Sequence, residues 1–291
     1  MAPDHKKTTD ALVQRLLPPS YGASNSRFEN LGSVLNQGVE GLLSANVTVG
    51  PAVSVDASLS ASYNVNRLIS LGANVQPIVL GAIRHVPGYP LFGYWDRPIV
   101  SFKDANRNGI IEASEVTVGD TAVFLGSSIP TTNVSLNAGV GLWRDHIRIA
   151  GQLEYRGGFK ANDFTDYFRC TSSAANNCRA INDRTAPLAD QAAAVAGRTL
   201  AYGRTAAGYI VDGSLLAVRE LSVTYNAPEA WARVFRGNRL SVTATARNLV
   251  KWTNYPGIDP EVNGNGQSDQ AIDFLSAPPL KTFTFRFNVG F

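Results

Sequence analysis

The chain closes on Lys281-Thr-Phe-Thr-Phe-Arg-Phe-Asn-Val-Gly-Phe291, and the reading of these residues decides the fold. Side chains alternate across an extended strand with period two. Phe283, Phe285, Phe287, Val289 and Phe291 therefore share one face, and Thr282, Thr284, Arg286, Asn288 and Gly290 share the other. A segment of about 9–11 residues, apolar outside and polar inside, has the length that crosses a bilayer at about 45°. A terminal Phe is also a common assembly signal of outer-membrane β-barrels. The edge strand of a soluble sandwich would show a mixed outer face and an earlier stop.

The same alternation recurs upstream. Val39, Gly41, Leu43, Ala45 and Val47 oppose Glu40, Ser44, Asn46 and Thr48; after Gly50-Pro51, Val53 to Tyr63 oppose Ser54 to Ser62. Val134 to Leu142 alternate with Asn133, Ser135, Asn137 and glycines. After Trp143-Arg144-Asp145, Ile147, Ile149, Leu153 and Tyr155 face away from Arg148, Gln152, Glu154 and Arg156. Leu221, Val223 and Tyr225, then Leu240 to Ala246, continue the pattern. With the last strand these make seven, and residues about 8–17 are read as the stub of an eighth. Connections near 50–51, 143–145 and 226–238 are short; those at about 64–131, 158–213 and 250–280 are long. Structureless loops of that length do not suit a compact soluble domain, whereas outer-membrane barrels pair short periplasmic turns with long extracellular loops. Arg148, Glu154, Arg156, Arg247 and Arg286 on the inner face suit a wet or plugged lumen and are costly in a dry core. The expected fold is all-β: about 7–8 antiparallel transmembrane strands of a larger barrel, forming an open curved sheet with the strand near 33–49 and the terminal strand as its edges.

Composition agrees. Of 291 residues, 44% are hydrophobic and only 17% charged, yet no apolar run of about 18 residues marks a transmembrane helix. Alternation averages the hydropathy away. The net charge of +3 is spread over strands and loops, with no basic stripe for nucleic acid. Met1 to Asp10 contain no apolar stretch of a signal peptide, which an exported barrel requires. His5, His85 and His146 stand apart, and no nucleotide-binding or nucleophile-elbow motif is present, so the sequence predicts neither an enzyme nor an organic cofactor.

Several segments resemble one family closely. Asp212-Gly-Ser-Leu-Leu-Ala-Val-Arg-Glu-Leu-Ser-Val-Thr-Tyr225 resembles the D-A-S-F-L-R-L-R-E-V-S-L-S-Y segment of SusC/RagA-type TonB-dependent transporters. Arg247-Asn-Leu-Val-Lys-Trp-Thr-Asn-Tyr-Pro-Gly-Ile-Asp-Pro-Glu-Val-Asn263 is similar to that family's G-R-N-L-x-T-W-T-x-Y-x-G-x-D-P-E-V-N, and Asn30 to Glu40 to its N-x-G-x-x-x-N-x-G-V-E. Gly88 to Tyr94, Phe102 to Ile111 and the Phe-rich end follow in the family's order. Gly213 replaces a usual Ala, and Leu280-Lys281 a usual Pro-Arg. The resemblance covers residues 1–291 as the C-terminal part of the family's barrel. Its signal peptide, TonB box, plug domain and more than half of its roughly 22 strands have no counterpart here, so this chain alone is not expected to perform gated uptake. The resemblance implies outer-membrane localisation among lipid and import of oligosaccharides or peptides. It also implies coupling to the TonB complex through the N-terminal part and capping by a SusD-like surface lipoprotein. A standalone eight-stranded outer-membrane binding or adhesion protein, and a soluble β-sandwich carbohydrate-binding module, remain the alternatives.

Three sets of candidate site residues follow. Asp104, Asn106, Asn108, Ile110 (through its carbonyl) and Glu115, with Gly109 at the turn, match the calcium-loop pattern D-x-[DN]-x-[DN]-G-x5-E; strand-like flanks and only two charged ligands leave open a plain Asn/Gly turn. Tyr89, Tyr94, Trp95, Trp252 and Tyr255 are candidate substrate-binding rings, against an aromatic girdle at the membrane interface or loop packing. Cys170 and Cys178, in a Ser/Asn-rich stretch without zinc-ligand spacing, are expected to form a loop disulfide.

Overall fold

The computed structural model describes residues 2–16, 26–49, 52–72, 75–172, 177–199, 204–262 and 272–291. Gly50-Pro51, residue 17 and Asn263, which carried sequence expectations, lie outside these.

Eight strands make one antiparallel sheet: β1 (Ala2–Leu16), β2 (Ser26–Val49), β3 (Val53–Ser70), β4 (Thr132–Leu142), β5 (Ile147–Gly157), β6 (Leu215–Asn226), β7 (Arg239–Thr253) and β8 (Thr282–Gly290). Each pairs with the next in chain order, so the sheet is a meander left open between β1 and β8. The 11 residues of β4 and of β5 correspond to roughly 37 Å along the strand. At 45° that is about 26 Å of height, close to the ~25 Å apolar band of an outer-membrane barrel.

Register keeps the apolar rows together. Phe283, Phe285, Phe287 and Val289 lie opposite Ala246, Ala244, Val242 and Leu240. Val223 and Tyr225 lie opposite Ile149 and Ile147. Phe285 is 80% and Phe283 69% exposed, and Leu43, Val47, Leu59 and Leu221 are exposed on the same outer face. The other face is ionic: Arg148 of β5 reaches Asp56 of β3 at 2.6 Å, and Arg247 of β7 reaches Glu220 of β6 at 2.8 Å. Gly139 on the intervening β4 leaves room for the first pair, because a Cβ there would lie 2.5 Å from an Arg148 nitrogen and push that side chain aside. No helix among the described residues is long and apolar enough to cross a membrane.

Three expectations need correction. The first edge is β1, not the strand near 33–49: β1 begins at Ala2 rather than near residue 8 and pairs with Ser26–Glu40, leaving the 41–49 part of β2 without it. The long loops are folded, with small strands at Ile78–Leu80, Ile83–His85, Gly93–Asp96, Ile99–Phe102, Val116–Val118, Val123–Ser127, Lys160–Asp163, Ile210–Asp212 and Ile272–Asp273. They also hold helices α1 (Phe164–Thr171), α2 (Arg179–Asn182) and α3 (Leu188–Arg198). The 227–238 connection is itself helical at α4 (Glu229–Val234). The buried clusters follow suit: apart from Val34 of β2 and Leu68 of β3, which pack with Leu71, those among the described residues lie in the loops. One joins Cys170, Cys178, Ala193, Ala194 and Tyr209; another joins Ile83, Tyr94 and Ile210. A sheet whose apolar face points outward has little core of its own, so the folded loops hold most of the buried apolar clusters.

Candidate functional site

Where β5, β6 and β7 approach the loops, their inner faces converge on residues 259–261. Arg219 of β6 grips Glu261 with both terminal nitrogens, at 2.8 and 2.5 Å, and its Nε donates to Glu154 of β5 at 2.5 Å. Arg156 bridges Glu154 at 2.7 Å and Glu261 at 3.3 Å. Lys251 of β7 holds Asp259 at 2.5 Å and Glu261 at 2.6 Å. Against β5 the register shifts between Gln152 and Leu153, which leaves Arg219 as an extra residue in β6, and that bulge re-aims Arg219 toward the loop. Burial acts to raise the Glu261 carboxyl, but hydrogen bonds from Arg219 and Lys251 overcome it and bring it down to about 2. The stretch after β7 is thereby tied to the wall by bidentate, charge-assisted bonds.

Beyond this tie, the second and third long loops interlock. Asn162 and Asp163 pair in parallel with Ile272 and Asp273. Asp273 accepts from Tyr255 Oη and from Thr165 Oγ1, both at 3.1 Å, and Asp163 caps α1 by accepting from the Asp166 amide at 3.0 Å. Burial, then the nearby Asp166 and Asp273 carboxylates, push Asp163 up to about 6. Next to this seam, a cavity of about 420 Å³ is bounded by Ile83, Tyr94, Phe164, Tyr167 and Phe274, with Arg84 and Arg204 at its polar side.

The candidate rings separate into three groups. Tyr94 is fully buried and Tyr255 is 5% exposed; both hydroxyls are held well above the ordinary tyrosine range, first of all by burial. These two rings are packed within the loops rather than exposed as open platforms, Tyr94 at the wall of the cavity. Trp252 lies opposite Leu216 on the outer apolar face and is 53% exposed, the side on which a girdle ring would sit. Tyr89 and Trp95 remain near the surface, with ring centroids 4.7 Å apart and Phe124 behind them.

Residues 104–115 form a closed turn between the paired strands Ile99–Phe102 and Val116–Val118. Asp104 accepts from the Asn108 and Gly109 amides, Asn106 from the Asn108 amide and Asn108 from the Ile110 amide. Glu115 accepts from the Glu112, Ala105 and Asn106 amides, which, with Glu112 foremost, hold its carboxyl below the usual range. Gly109 has φ +79°, the left-handed backbone that suits glycine. Buried Gln191 of α3 anchors the turn, accepting from the Ile111 amide at 2.9 Å and donating to the Gly109 carbonyl at 3.1 Å. A disulfide joins Cys170 to Cys178, packed against α3 rather than lying in a polar loop.

No family model matches the chain. Among curated proteins, it is 24% identical to TonB-dependent receptor P3 of Formosa agariphila, over 98% of this chain and 31% of that one. It is 25% identical to TonB-dependent receptor P26 of the same organism, over 99% and 32%. Among solved structures, the RagAB peptide importer in its closed-closed state matches with a TM-score of 0.75 at 18% identity, over 96% of this chain and 32% of that chain. The open-open state of that importer gives 0.72 at 19%, over 99% and 32%. The fold is that of a TonB-dependent receptor barrel.

The chain spans about a third of the length of these receptors. Within the TonB-dependent receptor fold, the two most specific sequence motifs meet: Arg219 comes from the 212–225 segment and Glu261 from the 247–263 segment. Sequence reading missed this contact, the Asp163–Asp273 seam and Gln191. A signal existed only for α3, where Pro187 precedes an alanine-rich run with Asp190 in the first turn and Arg198 in the last, a strong helix composition.

Proposed function

We propose that residues 1–291 are the C-terminal barrel part of a SusC/RagA-like outer-membrane transporter that imports peptides or oligosaccharides. One observation carries this reading: an open eight-stranded meander whose outer face is apolar and inner face ionic, with short connections at one end and folded, interlocked loops at the other. The other strands and a plug would come from sequence outside these residues, and coupling to the TonB complex would run through that part. A SusD-like lipoprotein would cover the folded loops, and Tyr89 and Trp95 are the rings in place to meet substrate there. The inner ion network would hold the 254–262 stretch against the wall while substrate passes. No catalytic step belongs to this reading. The test is deletion of the full-length gene and growth on peptides or oligosaccharides as the limiting nutrient. Growth should fail on one of them and return with the full-length gene only where TonB is intact; wild-type growth of the deletion strain on every such nutrient overturns the proposal.

Residues 104–115 are proposed, further, to hold a calcium ion. The side-chain oxygens of Asp104, Asn106, Asn108 and Glu115 already converge on one turn, and each still has a free lone pair beside its amide contacts.

A further inference from the structure

The connection between β6 and β7 is longer than an antiparallel turn requires, since two residues suffice to join such strands. Residues 227–238 instead build α4. Trp231, Val234 and Phe235 fall at i, i+3 and i+4, which is one side of a helix. Ala232 faces inward and is fully buried, while those three are 56%, 78% and 49% exposed. The exposed side continues the outer face of the sheet. Trp231 packs edge-on to Tyr225 with centroids 6.0 Å apart, and Phe235 packs edge-on to Phe287 at 5.8 Å. Trp143, in the neighbouring β4–β5 turn, and Phe291 are 63% and 85% exposed at the same end of the sheet.

Charge at this end is net positive. Residues 143–146 and 227–239 hold Arg144, Arg233, Arg236 and Arg239 against Asp145, Glu229 and the nearby terminal carboxylate, and Arg233 pairs with Glu229 at 2.9 Å. Apolar and aromatic side chains continuous with a lipid-facing surface, fringed by arginines, are what a helix lying in a membrane interface presents. Anionic phosphates are the complement of that fringe.

We propose that α4 is an interfacial anchor. Trp231, Val234 and Phe235 insert into the phospholipid leaflet on the turn side of the barrel, and Arg236 lies at the lipid phosphates while Arg233 stays paired with Glu229. The anchor fixes the height of the turn end in the bilayer, next to the final strand. This inference rests on the barrel reading, and its test separates the two.

Full-length protein is reconstituted in vesicles of phosphatidylethanolamine and phosphatidylglycerol, plain or brominated at the 6,7 or 11,12 acyl positions. The emission of Trp231 is taken as wild type minus Trp231→Phe, and that of the strand face as Phe285→Trp minus wild type. Bromine at 6,7 should reduce Trp231 emission about twofold, and more than bromine at 11,12 does, as for a ring some 5–10 Å below the headgroup boundary. The strand tryptophan should be quenched more by the deeper bromines. Quenching of the strand position without Trp231 overturns the anchor and leaves the barrel standing, as would be found if α4 docked a protein instead. Quenching of neither overturns both.

Discussion

Replacing Phe285 by Arg tests the outward orientation of the last strand most directly. Phe285 lies five residues before Gly290 in the nine-residue β8, or roughly 17 Å along the strand. At 45° this is about 12 Å above the turn end, near the midplane of a ~25 Å apolar band, where an outward Arg costs about 2–4 kcal/mol. Each 1.4 kcal/mol is tenfold in an equilibrium, so the folded-to-unfolded ratio in bilayers should fall by roughly 30- to 700-fold. Thr284 is the internal control: it is one residue away, lies opposite Thr245 and faces the ionic side, where an added Arg should cost no more than about 1 kcal/mol. The assay is urea unfolding of the full-length protein in phospholipid vesicles, alongside its level in isolated outer membranes. Phe285→Arg should shift the urea midpoint strongly and deplete the membrane fraction, and Thr284→Arg should leave both near wild type. Equal losses from the two variants would refute the orientation and, with it, the transmembrane reading of the sheet.

Glu261→Gln removes the carboxylate shared by Arg219, Arg156 and Lys251 and leaves these cations with Glu154 and Asp259 only. Residues 254–262 should exchange amide hydrogens faster, by a local destabilisation on the order of 2 kcal/mol, while β5 and β6 keep their protection. Because the folded carboxyl is lowered to about 2 from about 4.3 unfolded, its stabilisation is complete above the unfolded value. It is lost as pH falls through about 2, so wild type and variant should converge in strong acid. Asp163 has the opposite sign: its folded carboxyl is raised to about 6 from about 3.9 unfolded. Stability of the 160–171 region should therefore drop as pH rises between those values and level off above 6. Asp163→Asn, which retains a good helix cap, should flatten that profile in exchange measured across it. In calorimetry on the full-length protein at millimolar calcium, Asp104→Ala and Glu115→Ala should each abolish the binding heat, since each removes one of two charged ligands; a flat wild-type titration makes the segment a turn only.

The barrel was legible in the sequence because its physics is local. Whether Phe285 or Thr284 meets lipid follows from a period of two and needs no knowledge of what β8 pairs with. Register then came almost for free, since opposing Phe285 with Ala244 and Phe287 with Val242 is what keeps two apolar rows in one plane. The β6 bulge broke this simplicity: at Arg219 the alternation slips by one against β5, and the side chain that organises the inner ion network sits where strict alternation is lost.

The loops were less legible because their structure depends on partners distant in sequence. Tyr255 reads as an available ring until Asp273 and the Asp163 seam bury it, and Gln191 reads as one polar residue on an alanine-rich helix until the 104–115 turn takes up both ends of its amide. Such contacts leave no periodicity to find. They also explain why so much polar bonding is placed there. A membrane sheet is held in position by the apolar band around it, but loops above that band have only their own cores and cross-links to keep them folded. The Arg219–Glu261–Lys251 tie and the Asp163–Asp273 seam have unlike electrostatics, one clamped by cations and the other a crowding of carboxylates. Acid should therefore loosen the first, near pH 2, after it has already relieved the second, between about 6 and 4. Loop opening that begins at the seam as pH rises, with the wall tie intact, would show that the two are independent units.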